Sequence, residues 1–179
     1  MKLIPIILTI VLMISFSNQD TSNWELIENE QTLEITKSAN FKIKNYDLQL
    51  IWTDSLHTTH KGYYGGIKSA TFLLDGTAFQ TIDSLKDGIG LGYINLSFFD
   101  YNMDGFIDFS FPKSCGRNCL DQYYLFDNDK KEFILVKEWD NLRIHKLDKE
   151  NRLILTMPEG MEGKQKIFKI ENNNFLSEI

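Results

Sequence analysis

Between Phe98 and Cys119 the chain reads FFDYNMDGFIDFSFPKSCGRNC. Its first half holds oxygen-bearing side chains at alternate positions around one glycine: Asp100, Asn102, Asp104, then Gly105 and Asp108. Counted from Asp100, oxygens fall at positions 1, 3, 5 and 9, glycine at 6, and the Phe106 carbonyl at 7. A hard cation such as calcium takes six to eight oxygens, and a glycine lets the backbone wrap them tightly. Carboxylates this close repel one another unless a cation offsets them. The pattern follows the first nine positions of an EF-hand loop and then departs. Phe111 stands where the bidentate glutamate would be, and the flanks alternate like strands. The expectation is a Ca2+ site at Asp100, Asn102, Asp104, Phe106 (by its carbonyl) and Asp108, lying between two strands. The plain alternative is a solvated Asp/Asn/Gly turn.

The second half carries the only two cysteines, Cys115 and Cys119, around Gly116, Arg117 and Asn118. A disulfide here closes a five-residue ring. On loop entropy that contributes only about 2 kcal/mol, so fixing the shape of Gly116-Arg117-Asn118 is the better motive. A rigid tip loses less entropy on binding. A thiol redox pair usually has a tighter spacing, and a zinc site has too few ligands nearby. A structural disulfide with no part in recognition stays open.

The surroundings must position these two loops. The chain has 179 residues and a formal charge of −6. An acidic chain without basic clusters argues against nucleic acid as a partner. Lys2 followed by the apolar run Leu3 to Phe16 reads as a signal peptide over residues 1–17. It is short for a membrane span, so no stable span is expected once it is cut. Export implies an oxidising compartment, periplasmic or secreted, in which two cysteines read as one disulfide.

Residues 18–40 read as a polar N-terminal segment with a possible strand near Trp24–Ile35, and residues 41–179 as the domain. Apolar residues alternate from Phe41 onward, and thirteen Phe and seven Tyr suit pleated surfaces. Asp75-Gly76 between apolar runs marks a two-residue hairpin, and residues 127–132 a longer one. No stretch carries a helical stripe. The fold class is all-β, an antiparallel β-sandwich of roughly eight to ten strands around one strand–calcium loop–strand motif. His57 and His60 read as loop residues rather than ligands, beside a glycine-rich loop holding Tyr63 and Tyr64. In Tyr123-Tyr124, alternation points one ring to the core and one outward.

Together the acidic loop, the Ser/Gly/Asn-containing loop and the Tyr-Tyr strand resemble the calcium-binding periplasmic immunity proteins that look like inhibitors of invertebrate-type lysozyme. The resemblance runs over about residues 92–138. It implies a β-sandwich that is not an enzyme and that blocks a lysozyme-like peptidoglycan hydrolase by pushing a loop into its cleft. The family's metal site maps onto Asp100, Asn102, Asp104, Phe106 and Asp108, and its inhibitory loop onto Ser114, Gly116 and Tyr123. Cys115, Cys119 and Arg117 depart from the family pattern. A loop tip with Arg117 and Asn118 suits the paired carboxyl groups of a glycosidase. The other function class is a calcium-dependent extracytoplasmic module that binds protein or glycan without inhibiting anything.

Overall fold

The computed structural model describes residues 23–28, 31–44, 46–59, 62–83, 85, 89–115, 119–140, 142–158 and 163–179. For 54–59, 62–64, 89–91, 113–115 and 119 it describes the backbone alone. The signal-peptide reading of residues 1–17 lies outside the described residues.

The chain opens with two short strands, β1 (Glu25–Leu26) and β2 (Gln31–Ile35). A run of longer strands follows: β3 (Ala39–Ile43), β4 (Tyr46–Thr59), β5 (Gly62–Leu74) and β6 (Thr77–Asp83). Next come β7 (Ile89–Leu91), β8 (Ile94–Phe99), β9 (Asp108–Cys115), β10 (Cys119–Asp127) and β11 (Glu132–Leu135). The chain closes with β12 (Ile144–Asp148), β13 (Leu153–Thr156), β14 (Ile167–Ile170) and β15 (Leu176–Glu178). Two single 3-10 turns, Lys137–Trp139 and Asn172–Asn174, are the helical elements among the described residues.

These strands make three antiparallel sheets. The front sheet runs β3-β4-β5-β6 with β7 added to β5, the middle sheet β11-β10-β9-β8-β2, and the back sheet β1-β12-β13-β14-β15. At β10 the middle sheet is buried on both faces. Leu96, Phe98, Phe109, Phe111, Tyr124 and Phe133 pack against Leu48, Leu50, Ile67 and Phe72 of the front sheet. From its other face Tyr123 and Leu125 pack with Leu147, Ile154 and Ile170 of the back sheet. Alternation along β10 therefore feeds two cores, with successive side chains on opposite faces.

The all-β, antiparallel expectation holds. Asp75 and Gly76 form the expected two-residue hairpin, with Leu74 opposite Thr77 and φ of 50° and 78°. Asp127 pairs with Glu132 across the second one. Three expectations are corrected. The described residues form fifteen strands rather than eight to ten, of which β1, β7 and β15, with two or three residues each, are too short to show a period. The described part of the polar segment 18–40 belongs to the sheets. From Asn23 on it builds β1, β2 and the start of β3, and Gln31 to Ile35 pair with Phe98 to Ile94. The glycine-rich segment is not a loop, since β5 runs through it and pairs Tyr63 with Thr58 and Tyr64 with His57. His60 lies outside the described residues.

Gly65 shows why glycine stands in β5. A Cβ there would sit 2.1 Å from Trp52 Cζ2 and 2.4 Å from Cε2. The indole of β4 lies on the bare glycine, so any side chain must push it away. Gly65→Ala is expected to destabilise the fold by about 1–3 kcal/mol, read by urea denaturation. A loss under about 0.5 kcal/mol, the usual surface effect, would show that Trp52 moves freely.

Candidate functional site

The acidic loop bridges β8 and β9. Asp100 follows the last residue of β8, and its two carboxylate oxygens accept the N–H groups of Asp104 (3.0 Å) and Gly105 (2.9 Å). Asn102 Oδ1 accepts the Asp104 N–H at 3.2 Å, and Asp104 Oδ1 the Phe106 N–H at 2.9 Å. Short polar side chains bonding backbone groups a few residues on are what close such turns. Two positions are left-handed, Met103 (φ 60°) and Gly105 (φ 90°). The glycine takes that conformation at little cost, as expected from the sequence.

Asp108 is used differently from the other acidic residues. It is fully buried. Its Oδ2 accepts the N–H of Tyr101 (2.9 Å) and more weakly of Asn102 (3.4 Å), and its Oδ1 accepts that of Phe126 in β10 (2.8 Å). Burial pushes the carboxyl well above the usual carboxylate range, and the Asp104 and Asp100 charges add to this. The Phe126 and Tyr101 N–H groups oppose it. Burial also raises the Asp100 carboxyl, with the Asp104 charge adding to it and three backbone N–H groups opposing it.

This bears on the expected calcium ligands. Fully buried, with its oxygens bonded to backbone N–H groups of both the loop and β10, Asp108 anchors the loop to β10. Among the described residues no three His, Cys, Asp or Glu side chains group closely enough to hold a metal. Asp100, Asn102, Asp104 and the Phe106 carbonyl fit better. They lie in one turn, and a side-chain oxygen that accepts one bond retains a second lone pair. A calcium ion held there would draw its remaining oxygens from water.

The loop is also tied to the back of the molecule. Asn102 Nδ2 donates to Asp104 Oδ2 (2.8 Å) and to Asn174 Oδ1 (3.3 Å). The Asn174 carbonyl accepts from the Trp139 indole at 2.9 Å. Arg152, itself left-handed at φ 55°, donates from Nη2 to the Asn102 carbonyl at 3.4 Å. Residues 72 and 50 positions away cannot be read from a local motif, so Asn174 and Arg152 carry no signal in the sequence. Beside the loop, a cavity of about 480 Å³ has Asp104, Asn128, Asp129, Asn173 and Asn174 around an apolar floor that includes Leu125.

The cysteine hairpin sits at the other end of β9. Cys115 is the register partner of Cys119, and Ser114 of Leu120. Directly opposed residues of antiparallel strands have Cα atoms about 4.5–5.5 Å apart, within the span a disulfide bridges. Gly116, Arg117 and Asn118 lie outside the described residues, and Ser114, Cys115 and Cys119 are described by backbone alone.

Tyr123 is corrected outright as a partner contact. It is 2% exposed, edge-on to Tyr101 at 5.1 Å and to Trp139 at 5.8 Å. Its hydroxyl donates to the Leu142 carbonyl at 3.3 Å. Tyr124 is buried as well, stacked on Phe109 at 4.7 Å and 6°. The expectation of one ring inward and one outward fails because the back sheet covers the outer face. No helix of the described residues is long and apolar enough to cross a membrane. No protein-family model, curated protein or solved structure matches the chain.

Proposed function

We propose that this chain is an exported, periplasmic or secreted inhibitor of a lysozyme-like peptidoglycan hydrolase, with no catalytic role of its own. The end of the β9–β10 hairpin enters the target's cleft, and calcium at Asp100, Asn102, Asp104 and the Phe106 carbonyl braces its root. One observation carries this reading. The two strands that present the Cys115–Cys119 end are clamped at the root by the buried Asp108 carboxylate, which bonds Phe126 of β10 at 2.8 Å. Strands fixed in this way at their root leave the hairpin less freedom to lose on binding there. The contact group then shrinks to Ser114, Gly116, Arg117 and Asn118, since Tyr123 belongs to the core.

Inhibition of a panel of lysozymes and peptidoglycan hydrolases tests the reading, and no inhibition across the panel contradicts it. The calcium brace is tested apart from the target. Saturating Ca2+ after chelation is expected to raise Tm by about 5 °C, since a ligand at 100 times its Kd adds about 2.7 kcal/mol. Asp104→Asn is expected to abolish most of that rise. An unchanged Tm with and without Ca2+ removes the brace from the account.

The cavity beside the acidic loop favours a second reading, a binding module for protein or glycan. Amides and carboxylates around an apolar floor suit the hydroxyls and faces of a sugar. Glycan binding that is lost in Asp129→Ala but kept in Arg117→Ala, without any hydrolase inhibition, would select it.

A further inference from the structure

A second cavity, of about 340 Å³, opens between the middle and back sheets. The middle sheet contributes Ser97, Ser110 and Asp121 and the acidic loop Tyr101, faced by His145 of β12 and by Met157 just after β13. It involves neither the acidic turn's ligand oxygens nor the tip of the cysteine hairpin.

The backbone directs Asp121 here. Pro112 has no N–H to give to a sheet and is tolerated within one mainly at bulges. The register between β9 and β10 shifts between Leu120 and Asp121, so that Asp121 comes opposite Pro112. Bulges of this kind re-aim a side chain and are frequent beside binding sites.

Asp121 is half-buried and accepts no hydrogen bond among the described residues. A partly desolvated carboxylate without a donor loses hydration that no hydrogen bond replaces. The cation nearest in effect is Arg143, and two of its N–H groups are turned elsewhere. It donates to the Pro158 carbonyl at 3.3 Å and to Met157 Sδ at 3.5 Å. Burial raises the Asp121 carboxyl and the Arg143 charge lowers it. Within the wall, Tyr101 and Ser110 share a hydrogen bond at 2.9 Å, and a serine hydroxyl oxygen has two accepting lone pairs. The lining is one carboxylate, three hydroxyls and an imidazole, with the apolar side chains of Leu26, Ile144 and Met157 beside them.

The geometry points to a binding site for a small organic cation, an alkylammonium or alkylguanidinium. Its charged nitrogen pairs with Asp121 and donates to the serine hydroxyls, and its alkyl body lies against Met157. The same chemistry is carried by a free amine and by the lysine or arginine side chain of a protein partner.

Calorimetric titration of the full chain with n-butylammonium and n-butylguanidinium tests this, with n-butanol and butyrate as neutral and anionic controls. The expected result is saturable binding of the cations with a Kd of about 1 mM or tighter, and none of the controls. Asp121→Asn, with an unchanged melting curve, is expected to weaken cation binding at least about tenfold, as loss of a charged hydrogen bond does. Butanol binding as well as the cations, no saturable cation binding, or affinity kept in Asp121→Asn would each overturn the assignment. Capped arginine and lysine amides distinguish the sources. If they bind as tightly as the alkyl cations, the ligand is a partner's side chain. If only the alkyl cations bind, it is a free amine.

Discussion

Replacing Asp108 by alanine is expected to cost the fold about 3–5 kcal/mol. The carboxylate is fully buried and receives the N–H groups of Tyr101, Asn102 and Phe126. Alanine leaves these donors in the interior with no acceptor, and each unsatisfied buried donor costs about 1–3 kcal/mol. The costs do not add fully, because the Asn102 bond is long at 3.4 Å and the loop relaxes. Asp108→Asn is the milder change. It keeps one acceptor oxygen and turns an NH2 group toward one set of donors. Urea denaturation with an unchanged m-value reads both variants. A loss below about 1 kcal/mol in the alanine variant, no more than one ordinary hydrogen bond, would mean that water replaces the carboxylate and that the clamp on β10 is not structural.

Tyr123→Ala is expected to cost about 3–5 kcal/mol, the usual range for removing a buried aromatic side chain. The ring is edge-on to Tyr101 and Trp139, and both neighbours lie in the same core. Tyr123→Phe keeps the packing and loses the bond to the Leu142 carbonyl, so its expected cost is about 1 kcal/mol. Thermal melting separates this account from a role in recognition. A recognition residue would leave Tm unchanged when truncated. Here Tm is expected to fall sharply in the alanine variant and only slightly in the phenylalanine variant.

These two residues also mark how far the sequence could be read. Alternation along β8 and β9 is legible and groups Leu96 with Phe98 and Phe109 with Phe111; that the two pairs meet in one core is seen only in the fold. The turn chemistry of Asp75-Gly76 and the glycine of the acidic loop were legible for the same local reason. Tyr123 was not. A strand covered on both sides has no polar face, so Tyr123 and Tyr124 look alike in the sequence whether one layer or two lie beyond them. The back sheet itself was hard to see, since β1 and β15 hold two and three residues.

The acidic loop was legible as a turn rich in oxygen ligands, but its division of labour was not. Spacing treats Asp108 as one more oxygen. Only the fold shows that β10 brings the Phe126 N–H to it and that Asn102 reaches Asn174, 72 residues on. Asp121 carries no motif at all. It becomes a candidate only when a bulge opposite Pro112 turns it toward a cavity built from two sheets.

The central claim is that the end of the β9–β10 hairpin blocks a hydrolase cleft. The most direct measurement is the inhibition constant of the native chain and of Arg117→Ala against every hydrolase in the panel that the native chain inhibits. At least one such enzyme is expected. At least a tenfold weaker inhibition by the variant is also expected, the scale of a single interface anchor, at an unchanged Tm. Equal inhibition by the two proteins would contradict the account, because the inhibitory surface would then lie elsewhere on the molecule.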